Sequence, residues 1–251
     1  MSKTTIPRGG ITADAIDATL IADDAISDEH LDATAITGHT ALAEAPADTD
    51  EFLISDGGVL KRLDAQHVGG AGLTLLGSIS ASSASSSTFQ NGSNSIVFDS
   101  TFSTYIITFN GMTCSSDDDN FRVSFSHDSG SNYNSEASTV FDKATINSSG
   151  SASSDGSPGG SFASGACNLL TGQSNGSAEG FNGIMELHGM HISNRIKGFT
   201  FRFQSHLHNN LRVQTHGAGT VERNEDIDGV RFNCNSGTHS GTLRLYGMKA
   251  S

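Results

Sequence analysis

The chain has 251 residues, of which 27 are acidic and 14 are basic, so its formal net charge is −13. Glycine is frequent (29 residues), proline is scarce (3) and tryptophan is absent, a composition typical of all-β domains with many short turns. The sequence has no basic stripe, no long apolar run and no apolar N-terminal segment, which argues against nucleic-acid binding, a membrane span and a secretory signal. The three cysteines are odd in number and widely spaced, so we expect them to be reduced.

The N-terminal quarter contains a periodic segment over residues 9–38. One large aliphatic side chain recurs at every fifth position, at Ile11, Ile16, Ile21, Ile26, Leu31 and Ile36. This spacing does not fit an amphipathic helix, a coiled coil or a strand with one buried face. The segment is also acidic: residues 1–67 contain 13 acidic and 4 basic residues, which gives −9 of the total −13.

Three interpretations of the periodic segment remain open. A pentapeptide-repeat β-helix has the right period, but it needs small side chains where this chain has residues such as Asp14 and Glu29. A disordered acidic leader agrees with the composition. A repeat with too little core of its own can instead become stable by association with further copies. We expect the third interpretation to hold: an extended stalk in which the six aliphatic residues of the associated chains form one thin core.

Residues 45–72 predict a hairpin linker. The runs "EFLIS" and "VLKRL" are short and β-prone, and Asp56-Gly57-Gly58 joins them. Asp-Gly between apolar runs is a strong hairpin signal because the turn requires positive φ angles. The glycines of 69–72 then indicate a hinge. The predicted domains are therefore 1–44 (docking segment and repeat stalk), 45–72 (hairpin linker) and 73–251.

Beyond residue 72 the sequence predicts about eight or nine strands, because apolar and polar residues alternate in one window after another. The inward-facing residues are expected to be Tyr105, Ile107, Phe109, Phe121, Val123, Phe125, Phe199, Phe201, Phe203, Leu243 and Leu245. The opposite face should carry Arg122, Ser124, Ser126, Thr200, Arg202 and Arg244. Residues 148–165 are rich in Ser and Gly and predict a long loop. The fold class is therefore mainly β, with a C-terminal jelly-roll-like antiparallel β-sandwich preceded by the extended stalk and the hairpin linker.

Several segments, taken in order, carry a family resemblance. The Ala-Ile units of residues 15–36 resemble the arrays in the N-terminal shafts of bacteriophage tail-fibre and related virion proteins. "TALAEAPADTDEFLISDGGVLKRLDAQHV" looks like a linker hairpin of those proteins. Residues 97–134 resemble the opening of their C-terminal β-sandwich, and "GVRFNCNSGTHSGTLRLYGMK" is similar to their closing strands. Residues 136–225 resemble those proteins only in general character, without a specific motif.

The resemblance implies a phage virion structural protein that is assembled in the host cytoplasm and resides in the virion. It implies a homotrimer that docks on another virion protein (tail, baseplate or capsid) through N-terminal residues such as Lys3, Ile6 and Arg8. The C-terminal sandwich would then attach to the host surface, with a cell-surface glycan as a candidate ligand. Alternatives are a head-decoration or vertex fibre of the capsid and a fibre-borne glycan-degrading enzyme. We expect no enzymatic activity and no cofactor.

The sequence contains few motifs that would carry chemistry. No P-loop, HExxH or GxGxxG pattern occurs. Asp117-Asp118-Asp119 predicts a solvated loop, with a calcium site as the alternative. His206 and His208 would lie on one face at the end of a strand. The resemblance implies that such pairs can bind a transition metal on a threefold axis, whereas solvent-exposed histidines beside a loop are the plainer interpretation.

Overall fold

The structure, a computed structural model, describes residues 37–43, 46–47, 49–68, 72–93, 96–176, 178–207 and 211–249. The predicted stalk core (Ile11, Ile16, Ile21, Ile26, Leu31 and Ile36), the predicted docking residues (Lys3, Ile6 and Arg8) and His208 lie outside the described residues. The chain divides into two compact units, Met1–Gly69 and Gly70–Ser251. Strands dominate the described residues, none of whose helices is long and apolar enough to cross a membrane.

The first unit contains the predicted hairpin. Strands β1 (Glu51–Asp56) and β2 (Val59–Asp64) pair antiparallel, and a 3-10 helix (Ala65–His67) follows. Gly57 and Gly58 form the turn with φ angles of 60° and 82°, a conformation that costs a residue with a Cβ atom about 1–2 kcal/mol. The Asp-Gly-Gly sequence is therefore the local cause of the reversal, and the hairpin prediction is confirmed.

The second unit consists of two antiparallel sheets. Its strands are β3 (Leu73–Ala84), β4 (Ser87–Gln90), β5 (Thr104–Cys114), β6 (Asp119–Ser126), β7 (Glu136–Ile146), β8 (Ala152–Ser164), β9 (Cys167–Gln173), β10 (Gly180–His188), β11 (Lys197–Leu207), β12 (Leu211–Val221), β13 (Gly229–Cys234) and β14 (His239–Met248). The large sheet has the order β3-β14-β5-β10-β11-β12-β7-β8, and the small sheet has the order β4-β13-β6-β9. The mainly β, antiparallel prediction is confirmed.

Eight of these strands pair in a nested pattern. β6 pairs with β9, β5 with β10, β4 with β13 and β3 with β14, as in one long hairpin folded over. Two further pairings, β14 with β5 and β13 with β6, join these eight strands into two sheets of four. The remaining strands, β7, β8, β11 and β12, extend the large sheet beyond β10.

The core lies between the two sheets and is rich in phenylalanine. Phe109 of β5 is 1% exposed, and its ring centre lies 5.9 Å from that of Phe121 (β6) and 5.0 Å from that of Phe232 (β13). The ring centre of Phe125 in β6 likewise lies 5.3 Å from that of Phe199 in β11. Rings from one sheet thus contact rings from the other, an arrangement consistent with a β-sandwich. The inward-facing residues predicted on β5, β6, β11 and β14 are all buried.

Three details of the strand prediction are wrong. The second unit has twelve strands rather than eight or nine. One of the additional strands is β8, which covers most of residues 148–165, a segment predicted as a loop. β8 pairs with β7 at the edge of the large sheet, where backbone hydrogen bonds alone can hold a strand of small polar residues. Ser124 and Ser126 are fully buried rather than exposed. The Ser124 hydroxyl accepts a hydrogen bond from Arg231, and the Ser126 hydroxyl donates one to Asp128.

The expectation of three reduced cysteines is also wrong. Cys114, at the end of β5, and Cys234, at the end of β13, form a disulfide that joins the large sheet to the small one. Their separation of 120 residues hid the pairing, since only the sheet packing brings them together. Cys167 is free and buried, and burial raises the pKa of its thiol to about 11.

The prediction of a solvated acidic loop fails for Asp119. This residue begins β6 and is 4% exposed, whereas Asp117 and Asp118 are exposed. Its carboxylate accepts the backbone N–H of Asn120 at 2.8 Å and that of Ser236 at 3.0 and 3.1 Å. The buried charge is thus satisfied by backbone donors, which explains why it is tolerated there.

Candidate functional site

Two neighbouring strands carry the same five-residue pattern. It reads Arg-Phe-Gln-Ser-His over 202–206 in β11 and Arg-Val-Gln-Thr-His over 212–216 in β12. Side chains alternate between the faces of a strand, so the Arg, Gln and His of each copy share one face. Phe203, Ser205, Val213 and Thr215 occupy the other face and are all buried. The Arg-Gln-His sets therefore lie on the outer face of the large sheet.

The register of the two strands gives the repeated pattern a local twofold arrangement. β11 and β12 are antiparallel, so Arg202 is opposite His216, Gln204 is opposite Gln214, and His206 is opposite Arg212. The two Arg–His pairs are four residues apart along the strand, or about 13 Å at the usual rise. A pair of glutamines lies midway between them. We call these six residues the Arg-Gln-His face.

Neighbouring strands turn this face into a groove. Asn182 of β10 is opposite Gln204, and Ala144 of β7 is opposite Gln214. A cavity of about 830 Å³ lies over the end that contains His206. An adjoining cavity of about 320 Å³ lies over the other end, and both are lined by Asn182, Gln204 and Gln214. The larger volume falls within the roughly 300–1,000 Å³ typical of small-molecule sites.

The groove presents positive charge on a chain whose net charge is −13. Within the described part of the chain, Arg202 and Arg212 form no ion pair. The two ends of the groove differ in their surroundings. His216 is opposite Asp142 of β7, whereas Arg212 is opposite Ile146 of the same strand. The end built by His206 and Arg212 therefore has no carboxylate opposite it on β7.

His206 also has an unsatisfied nitrogen. Its Nδ1 lies 3.1 Å from the carbonyl oxygen of Ala178, so Nδ1–H donates and Nε2 is left as an acceptor when the ring is neutral. Nε2 is buried and has no hydrogen-bond partner among the described residues. A buried polar atom without a partner costs free energy unless a ligand or water satisfies it.

A further cavity of about 620 Å³ lies elsewhere on the second unit. Its lining includes Asp99, His127, His191, Asp226 and Asp228. Hydrogen bonds from the side chain and backbone of Thr101 hold the pKa of Asp99 below its usual range. Among the described residues, the carboxylates and imidazoles of this cavity do not converge closely enough to hold a metal ion.

Potential metal ligands converge at another place. The described residues contain one close group, Cys114, Asp119 and Cys234, whose ligand atoms lie within 4.8 Å of one another. The two sulfurs are bonded to each other, so they are not thiolate ligands in this structure. The predicted partner of His206, His208, lies outside the described residues, and the metal prediction for that pair stays a prediction.

Comparisons of the chain with family models, with curated proteins and with solved structures found no match. The function must therefore be inferred from the site itself, together with the resemblance in sequence pattern. The Arg-Gln-His face is the feature of the described residues that combines a cavity, repeated chemistry and unpaired charge.

The groove was not predicted from the sequence, although a signal was present. The outer-face position of Arg202 was predicted correctly, and histidines are visibly frequent near the C-terminus. The missed signal is that 202–206 and 212–216 repeat the same polar pattern ten residues apart. Polar residues repeated at alternate positions indicate a symmetric polar face once the two strands are known to pair in this register.

Proposed function

We propose that the chain is a phage virion appendage whose C-terminal sandwich attaches the particle to a glycan on the host surface. The observation that carries the proposal is the groove over the Arg-Gln-His face, a binding surface built on paired strands rather than on loops. The resemblance to tail-fibre proteins supplies the biological setting. The proposed activity is binding without catalysis.

The chemistry of the groove suits a ligand rich in hydroxyl groups. Amide side chains such as Gln204, Gln214 and Asn182 each offer both donors and an acceptor, and a sugar hydroxyl is likewise both a donor and an acceptor. Because the side chains stand on adjacent hydrogen-bonded strands, their spacing is fixed by the sheet.

We also propose that the sandwich is a jelly roll enlarged by two insertions. The nested pairing of β3–β6 with β9, β10, β13 and β14 supports this description, since a jelly roll is a long antiparallel hairpin rolled into two sheets. β7–β8 and β11–β12 are the two additions. The second addition supplies the Arg-Gln-His face, so the proposed binding surface lies on an elaboration of the basic fold.

The proposal assigns the N-terminal region to assembly. Ile11, Ile16, Ile21, Ile26, Leu31 and Ile36 would form the core of a trimeric stalk, and Lys3, Ile6 and Arg8 would contact another virion protein. A single chain has too sparse an aliphatic row to form a core alone, which supports association. Light scattering of the full-length chain is expected to give about three times 26.1 kDa; a monomer would contradict the trimeric stalk.

The attachment proposal is tested with the full-length chain on an array of neutral and acidic bacterial surface glycans. The double substitution Gln204→Ala/Gln214→Ala is expected to weaken binding by tenfold or more, since each lost hydrogen bond contributes about 1 kcal/mol. Thr200→Ala is the matched control, because Thr200 is exposed on the same face of β11 outside both cavities. Failure of the unsubstituted chain to bind any glycan would refute the proposed function.

A further inference from the structure

The groove also indicates the charge of its ligand. We infer that it binds an acidic saccharide and that a carboxylate of the ligand is held by Arg212, beside His206. This inference rests on the proposed function and narrows it from glycans in general to those that carry sugar acids. In this proposal the His206–Arg212 end of the groove holds the acid group, and the amides in the middle of the groove bind the sugar hydroxyl groups.

The unpaired guanidinium group is the first argument. Arg212 is exposed on the outer face, forms no ion pair among the described residues, and belongs to a chain with almost twice as many acidic as basic residues. A guanidinium binds a carboxylate through two parallel N–H···O bonds, and this geometry is stronger than a hydrogen bond between neutral groups. The Nε2 atom of His206, opposite Arg212, has no partner among the described residues and can accept a hydrogen bond from a hydroxyl group of the same sugar.

The neighbouring strands indicate which end holds the acid. Beside the Arg202–His216 pair, Asp142 of β7 supplies an opposing negative charge within the protein. Beside the His206–Arg212 pair, the opposite residues are Gly180 on β10 and Ile146 on β7, which carry no charge. The two ends of the Arg-Gln-His face therefore have the same residues but differ in the charge beside them. The His206–Arg212 end is the one suited to an external anion.

The size and lining of the groove favour a ligand larger than a simple inorganic anion. The cavity at this end is about 830 Å³, and the amides of Asn182, Gln204 and Gln214 continue from it into the adjoining cavity. A small anion at Arg212 would leave the exposed amides of Gln204 and Gln214 to water. A sugar acid whose hydroxyl groups extend along β11 and β12 would satisfy the amides as well as the guanidinium.

The experiment is an array in which each acidic oligosaccharide is printed beside its carboxyl-reduced form. The panel covers uronate-, sialate- and pyruvate-bearing glycans, together with neutral ones, and the full-length chain is the probe. Reduction to the alcohol removes the charge and leaves the ring and the chain length unchanged. We expect at least one acidic glycan to bind, its reduced form to bind tenfold or more weakly, and the binding to weaken with added salt.

Substitutions then locate the acid within the groove. Arg212→Gln is expected to weaken binding of the acidic glycan tenfold or more, and Arg212→Lys to weaken it less, because lysine keeps the charge but not the two-pronged geometry. Arg244→Gln is the matched control: it removes the same charge from the same face of the sheet, on β14 outside both cavities. Thermal unfolding of each variant checks that the fold is retained.

The outcomes separate the two proposals. Binding of neutral or reduced glycans as tightly as acidic ones would overturn the acidic ligand while leaving glycan attachment intact. Equal losses for Arg212→Gln and Arg244→Gln would also overturn it, since the effect would then come from overall charge. Absence of binding to every glycan on the array would overturn the proposed function together with this inference.

Discussion

Replacement of Phe109 with alanine is expected to lower the free energy of unfolding by about 3–5 kcal/mol, the usual range for a phenylalanine removed from a core. Phe109 lies at the point where the two sheets meet. Its ring contacts Phe121 and Phe232 of the small sheet and Phe203 of its own sheet, with centres 5.0 to 5.9 Å apart. The substitution would leave a cavity lined by three rings, which strands of two sheets cannot close without moving.

Urea unfolding of the full-length chain, followed by circular dichroism, measures this effect, because the unfolding free energy falls linearly with denaturant. Val140→Ala is the control. Val140 lies on β7 of the same sheet but is 68% exposed on the outer face, so its loss should change stability by no more than about 0.5 kcal/mol. Equal effects of the two substitutions would show that the sheets are not joined through the phenylalanine cluster.

The buried faces of the strands were predictable because burial leaves a period of two in the sequence. Phe199, Phe201 and Phe203 alternate with polar residues, and a strand with one face in a core permits no other placement. The Asp56-Gly57-Gly58 turn was predictable for a different reason: its backbone conformation admits few residue types. In both cases the physical constraint acts on consecutive residues, so the constraint can be read locally.

The features that were missed depend on contacts between distant residues. Strand β8 has no apolar period, since an edge strand of serine and glycine is held by backbone pairing with β7. The Cys114–Cys234 disulfide depends on the packing of β5 against β13. The groove was missed because its polar side chains look, one strand at a time, like ordinary solvent-facing residues. Only the pairing of 202–206 with 212–216 shows that they form one surface.

Removal of the Cys114–Cys234 disulfide should have the second large effect. The bond closes a loop of 120 residues, and loss of a native disulfide in a loop of this size lowers the unfolding free energy by about 2–5 kcal/mol. The double substitution Cys114→Ala/Cys234→Ala should therefore unfold at lower urea than the oxidised chain. Reduction with a thiol reagent should shift the unsubstituted chain towards lower urea and leave the double variant unchanged.

Thiol counting tests whether the bond exists before its effect is measured. The oxidised chain, denatured in the presence of a thiol-reactive dye, should show one reactive cysteine, Cys167, because the other two are bonded; three reactive cysteines would contradict the structure.

The host cytosol keeps thiols reduced. The resemblance to phage virion proteins implies assembly there, and in that setting the sandwich would fold in its reduced form on its phenylalanine core. The disulfide would then close after release and add stability to a particle outside the cell. Protein isolated from intact particles should accordingly show one reactive thiol, whereas the same chain taken from freshly lysed cells under thiol-blocking conditions should show three. One reactive thiol in both samples would place bond formation before release and contradict this order of events.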